Sequence, residues 1–144
     1  MNFKLDCKIV FAEIGAVLGI FLGGVDGMLK ALIIFAIVDY ITGVLAAIIE
    51  HKLNSEIGFK GITKKVLLFM IVGVAHCLDV YVIGSASVCR STVALFYIAN
   101  EGLSIIENSA RCGLPIPEKL KVILEQLREE NNGENDTNSD KDVV

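Results

Sequence analysis

The sequence predicts an all-α fold: a polytopic membrane helical bundle of four transmembrane helices, with three as the alternative, plus a short amphipathic cytoplasmic helix. Three observations predict it. The chain of 144 residues is 53% hydrophobic and only 21% charged, with a mean hydropathy of +0.62. That is too apolar for an ordinary soluble domain of this length. Four apolar runs, 9–25, 31–49, 66–83 and 89–106, recur along it. None alternates strictly, which argues against a membrane β-barrel and leaves helices as the way to satisfy the backbone in lipid.

A spanning helix needs about 20 mainly apolar residues, with about 17 as the lower limit. The second and third runs meet this clearly. The first is marginal in length and is interrupted by Glu13, and the fourth is the most polar. The first run also resembles a signal peptide, with Lys4 and Lys8 ahead of an apolar stretch. Glu13 and the absence of an A-x-A cleavage site favour a retained helix. Gly15, Gly19 and Gly23 form two GxxxG steps in register, a flat strip that lets another helix approach closely.

Loop charge predicts the topology. The segment 50–65 carries Lys52, Lys60, Lys64 and Lys65, whereas "DGMLK" and "GSAS" are nearly free of Lys and Arg. Lys4 and Lys8 precede the first run, and Arg111, Lys119 and Lys121 follow the fourth. This bias agrees with a multi-pass protein of the bacterial cytoplasmic membrane with both termini inside. Three spans would place Lys4 and Lys8 outside.

The expected divisions are a transmembrane domain over 1–110, a cytoplasmic turn and amphipathic helix over 111–130, and a disordered acidic tail over 131–144. Gly113, Pro115 and Pro117 interrupt helix. Leu120, Ile123, Leu124 and Leu127 then repeat at i, i+3, i+4 and i+7, one apolar stripe suited to a membrane surface or a copy of itself. Residues 1–117 hold nine basic and nine acidic groups, and residues 118–144 hold four and eight, so the net charge of −4 lies in the tail. No nucleic-acid partner is implied. Cys7, Cys77, Cys89 and Cys112 form no CxxC pair, and neither His51 nor His76 has ligand spacing to them. They read as small apolar fillers, with no metal.

Polar residues inside the runs are the candidate functional groups. Counted from the cytoplasmic ends of their runs, Asp39 and His76 lie about 15 Å deep, with Asn100 and Glu101 slightly less. An Asp at the centre of a spanning helix costs about 2.5–3.5 kcal/mol on insertion scales. It must therefore face other helices, another subunit or water. Such groups either tie helices together or line an assembly interface or lumen, and composition alone leaves both open. Asp79 and Arg90 are brought to one level by the short "GSAS" connection and predict a neutralising ion pair at the outer end. Ser55, Ser85, Ser87 and Ser91 lack a nucleophile-elbow setting and "GFKG" lacks the Lys-Ser/Thr of a P-loop, so no enzyme is predicted.

Two blocks, "DYITGVLAAIIEHKLNSEIGFKGITKKV" and "FYIANEGLSIIENSARCGLPIPEKLK", resemble the phage holin family. They are closest in pattern to the toxin-secretion and phage-lysis holins of clostridia and related Gram-positive bacteria. Asp39, Thr42 and Gly43 match D-x-x-T-G; Ser55, Gly58, Gly61, Lys64 and Lys65 match the loop. Asn100, Glu101, Ser104, Ile105, Glu107 and Asn108 match N-E-x-x-S-I-x-E-N, and 113–117 match the G-L-P-I-P turn. The resemblance covers about residues 31–127. It implies a non-enzymatic protein without cofactor that forms homo-oligomers in the bilayer. At a programmed time it would open lesions that pass an endolysin or a large toxin, without binding them stably. Asp39, Asn100 and Glu101 would then exchange internal pairs for intermolecular ones, with the glycine strip allowing close contact. Met28, shortly after Gly23-Gly24, suggests an internal start giving a shorter form. A small ion or proton-coupled transporter is the alternative, although no inverted repeat supports it. A membrane-anchored adaptor working through the 117–130 helix is a third reading.

Overall fold

A computed structural model of the chain describes the backbone of residues 3–84 and 87–133, and the side chains of 8–84, 87–127 and 129. Every regular element among them is helical: α1 (Phe3–Phe21), α2 (Gly27–Ile49), α3 (Ser55–Cys77) continuing as a π-helical turn (Leu78–Ile83), α4 (Val88–Arg111) and α5 (Glu118–Gly133). The expected tail beyond residue 133 lies outside the described residues, as do the side chain of Cys7 and residues 85 and 86 of the "GSAS" connection. Cys77, Cys89 and Cys112 are free thiols.

Two helices, Gly27–Ile49 and Ser55–Ile83, are long and apolar enough to cross a membrane. The length of α1 and α4 would also serve, but Lys4, Asp6, Lys8 and Glu13 dilute α1, and Arg90, Glu101, Glu107 and Arg111 dilute α4. On α2 and α3 the outward positions Ile34, Ile37, Ile41, Leu45, Leu67, Met70, Ile71 and Val74 are exposed apolar residues. Such faces cost free energy in water and suit lipid.

The core is built from small and apolar residues at 3–4 spacing, which keeps one stripe of each helix turned to its neighbours. On α2 the stripe is Leu29, Leu32, Ala36, Asp39, Gly43 and Ala46; on α3 it is Gly58, Gly61, Lys65, Leu68, Val72 and Ala75. On α4 it is Arg90, Ala94, Tyr97, Glu101, Ser104 and Asn108, all buried or half-buried. Leu32, Leu68, Val72 and Ala94 form the apolar centre. Polar groups interrupt the stripes on either side of that centre.

The helix starts are locally encoded. Asp26 caps α2, its Oδ1 accepting from the Leu29 N–H at 2.8 Å. Asn54 caps α3 in the same way, accepting from Ile57 N–H at 2.8 Å. An N-cap side-chain oxygen satisfies a backbone donor that the first turn leaves unpaired. The Asn54 cap starts α3 eleven residues before its apolar run. This corrects the expected loop: Lys60, Lys64 and Lys65 are helical, and only Lys52 lies in the connection.

Packing also places the glycines of the first run and the last helix. Among the described residues no atom lies near the position of an added Cβ on Gly15 or Gly19, and Gly23 is in the turn after α1, with φ +80°. α1 docks instead through Phe21, whose ring occupies the place of a Cβ on Gly73 of α3. The α5 helix folds back along α4: Leu124 is buried with Leu103, Ile106 and Ile116, and a Cβ on Gly102 would lie 3.0 Å from its methyl carbons. Leu124 of the stripe thus packs inside the chain, while Leu120 and Ile123 stay exposed.

Candidate functional site

The stripes of α2, α3 and α4 bring Asp39, Lys65 and Glu101 together. Asp39 is ten residues before the end of α2, Lys65 ten after the start of α3 and Glu101 ten before the end of α4. All three therefore lie about 15 Å from the same end of the bundle. The Lys65 ammonium bridges both carboxylates, donating to Oδ2 of Asp39 and Oε2 of Glu101. The side chains are 16%, 12% and 11% exposed, which removes most of the competing water.

Asn108, about two turns further along α4, completes the network. Its Nδ2 donates to Asp39 Oδ1 at 3.2 Å and Thr42 Oγ1 at 3.3 Å, while its Oδ1 accepts from Arg111 at 3.1 Å. Arg111 in turn holds Glu50 through two parallel bonds of 2.8 and 2.9 Å. The Arg111 guanidinium, with Lys52 behind it, pulls the Glu50 carboxyl down to about 2. The result is one chain of polar contacts from the end of the bundle to its interior. Gly43 allows the approach, since a Cβ there would lie 3.5 Å from Asn108 Nδ2.

A second polar cluster closes the opposite end. Asp79, buried in the π-turn, accepts from the backbone N–H groups of Cys89 and Arg90 at 2.9 and 2.8 Å. It thereby caps α4, whose own Ser87 makes no side-chain cap. The Arg90 side chain turns to the α1–α2 connection. It donates to Asp26 Oδ2 at 2.7 Å and to the carbonyls of Leu22 at 2.6 Å and Gly24 at 3.1 Å. The expected Asp79–Arg90 ion pair is therefore corrected: Asp79 takes the backbone of Arg90, and the guanidinium takes Asp26. A helix N-terminus competes well for a carboxylate, because its N–H groups and dipole both favour negative charge.

His76 also belongs to this end. With α3 starting at Ser55, His76 lies about 31 Å along the helix rather than level with Asp39. It is half-buried beside the Gly23 turn; a Cβ on Gly23 would come within 2.6 Å of its Nδ1 and 2.8 Å of Arg90 Nε. That Nδ1 has no hydrogen-bond partner among the described residues. Asn100 is half-buried and takes no part in the polar layer. Lys52, Lys60 and Lys64 surround the outer mouth of the layer. Sequence reasoning missed Lys65 as a bundle residue, and missed Asn108 and Asp26 as partners. The 3–4 spacing from Gly58 through Lys65 to Val72 was the available signal.

Among the described residues no cluster of His, Cys, Asp and Glu could hold a metal ion. A cavity of about 370 Å³ opens beside the polar layer, between the last half of α2, the first half of α3 and the end of α4.

These features define a small helical membrane protein with charged residues paired inside its bundle. The chain belongs to the bacteriophage holin family, whose sequence model matches residues 16–129. It is 38% identical over 114 residues to a probable holin of Bacillus phage phi105, covering 79% of this chain and 81% of that one. An uncharacterized protein of Listeria innocua is 39% identical over 140 residues, 97% of this chain and 99% of the relative. An uncharacterized 14.9 kDa protein of Clostridium perfringens is 46% identical over 105 residues, 73% of this chain and 80% of the relative. No solved structure matches.

Proposed function

We propose that the chain is a holin of the bacterial cytoplasmic membrane. It accumulates as a closed helical unit, oligomerises, and at a programmed time forms lesions that release an endolysin or a large toxin. It is not an enzyme and uses no cofactor. α1 to α4 cross the bilayer with both termini in the cytoplasm, α1 and α4 gaining cover from neighbouring copies. The bonding of Lys65 to both Asp39 and Glu101 carries this reading. A buried charge needs a partner, and here three helices supply one another. Exchange of those partners between copies would turn a closed polar layer into a wetted wall. Family membership and the phage relative support the same role.

Expression with an endolysin in a host lacking its own holin tests the reading. The expected result is an abrupt fall in turbidity with release of a cytoplasmic reporter enzyme. A transporter or a membrane-anchored adaptor would leave the reporter inside, and that result would overturn the proposal.

A further inference from the structure

We infer that the cavity at the basic end of the bundle is a binding site for one anionic glycerophospholipid, phosphate in the cavity and acyl chain in the α2–α3 seam. The inference rests on the membrane reading above and adds a ligand to it. Lys52, Lys60, Lys64, Lys65 and Arg111 line the cavity, against the single carboxylate of Asp39. The acids nearby are already engaged: Glu50 holds Arg111 and Lys52, and Asp39 and Glu101 hold Lys65. Lys60 and Lys64 enter none of the ion pairs among the described residues, so the mouth carries uncompensated positive charge. The Ser104 hydroxyl adds a neutral donor to the lining.

What distinguishes this cavity from an ordinary basic surface is its continuation. Tyr40 and Lys65 also border an apolar groove of about 360 Å³ between α2 and α3. Ile33, Val66 and Phe69 of that groove then border a third, of about 370 Å³, that ends on Leu18 and Leu22 of α1. The three spaces follow one seam. From Lys60 to Met70 that seam is about 15 Å long at the rise of an α-helix, a length suited to an acyl chain. Gly58 and Gly61 keep the upper seam shallow, with only the Tyr40 ring against them. A free phosphate would fill the head of this space and leave the seam empty. A basic pocket between helices at a membrane surface is suited to anionic lipid heads.

The full chain in phosphatidylcholine vesicles, with spin-labelled phosphatidylglycerol or phosphatidylcholine as the probe, tests the site. Flotation is read first, then the fraction of motionally restricted label. Phosphatidylglycerol should be restricted preferentially, the preference falling about fivefold for each lysine neutralised in Lys60→Gln and Lys64→Gln. The off-site pair Lys119→Gln and Lys121→Gln should leave it unchanged. Short-chain phosphatidylglycerol should compete, whereas inorganic phosphate or glycerol phosphate should not. Flotation without any phosphatidylglycerol preference, or a preference that Lys60→Gln with Lys64→Gln does not alter, overturns the inference and leaves the membrane reading intact. Displacement by inorganic phosphate alone overturns it in favour of an anion site. Loss of restricted label as protein crowds the vesicle overturns it in favour of a second copy in the seam. Failure to float overturns both readings.

Discussion

Lys65 has two carboxylates within reach and is largely buried with them, and that fixes what its loss would do. Removing one member of a buried ionic set costs roughly 3–5 kcal/mol, because the remaining charges keep their burial and lose their partner. Lys65→Met should therefore lower thermal stability in detergent micelles by that order. Adding Asp39→Asn and Glu101→Gln to it should restore part of the loss. Lys60→Met, one turn away and exposed, should stay within about 0.5 kcal/mol of the parent. Circular dichroism melts compare all three. At the other end, Asp26 is held well below the ordinary aspartate range, at about 2, first by its hydrogen bond from Arg90 and then by the Leu29 N–H. A depressed carboxyl contributes stability that is complete above its unfolded value and is lost as pH falls through its folded one. Asp26→Asn keeps an N-cap side chain but not the charge. Its melting temperature should lie below the parent's by the same interval at pH 7 and pH 5, and the interval should close as pH falls from about 4 to about 2. An interval that persists below about pH 2 would assign the loss to the cap instead.

At the scale of elements, the positions of the helices were legible in the sequence and their starts were not. Apolar runs locate α2 and α3 because exposed apolar residues dominate them. They understate α3, whose first eleven residues are polar and are helical because Asn54 caps them. That one misplaced start put Lys65 in a loop and His76 at the level of Asp39. The Asp79–Arg90 expectation failed for a different reason. Proximity was right, but a helix N-terminus and a turn rich in carbonyls each offered a better-placed partner. The fold-back of α5 on Gly102 and the docking of Phe21 on Gly73 depend on long-range packing that no local pattern encodes. Gly73→Val should therefore expel Phe21 and release α1 from α3, at about 1–3 kcal/mol for overpacking. Limited proteolysis should cut between α1 and α2 faster in that variant, while the α2–α4 bundle stays protected. Gly15→Val should not change the cutting rate, since no described residue occupies the space beside Gly15.

For the molecule as a whole, the two polar clusters sit at opposite ends of an apolar centre. Arg90 joins α1, α2 and α4 at one end, and Lys65 joins α2, α3 and α4 at the other. A unit closed in this way keeps Asp39, Lys65, Glu101 and Arg90 paired inside the bundle. In the proposed mechanism the Lys65 layer parts on opening, so its strength should set the time of release. Reporter-enzyme release after induction with an endolysin, at equal membrane protein level, measures that time directly. Asp39→Asn, which keeps the side-chain shape but removes one charge from the layer, should shift release from the wild-type time, and Asp39→Leu should shift it further. Wild-type timing in both variants would contradict the account.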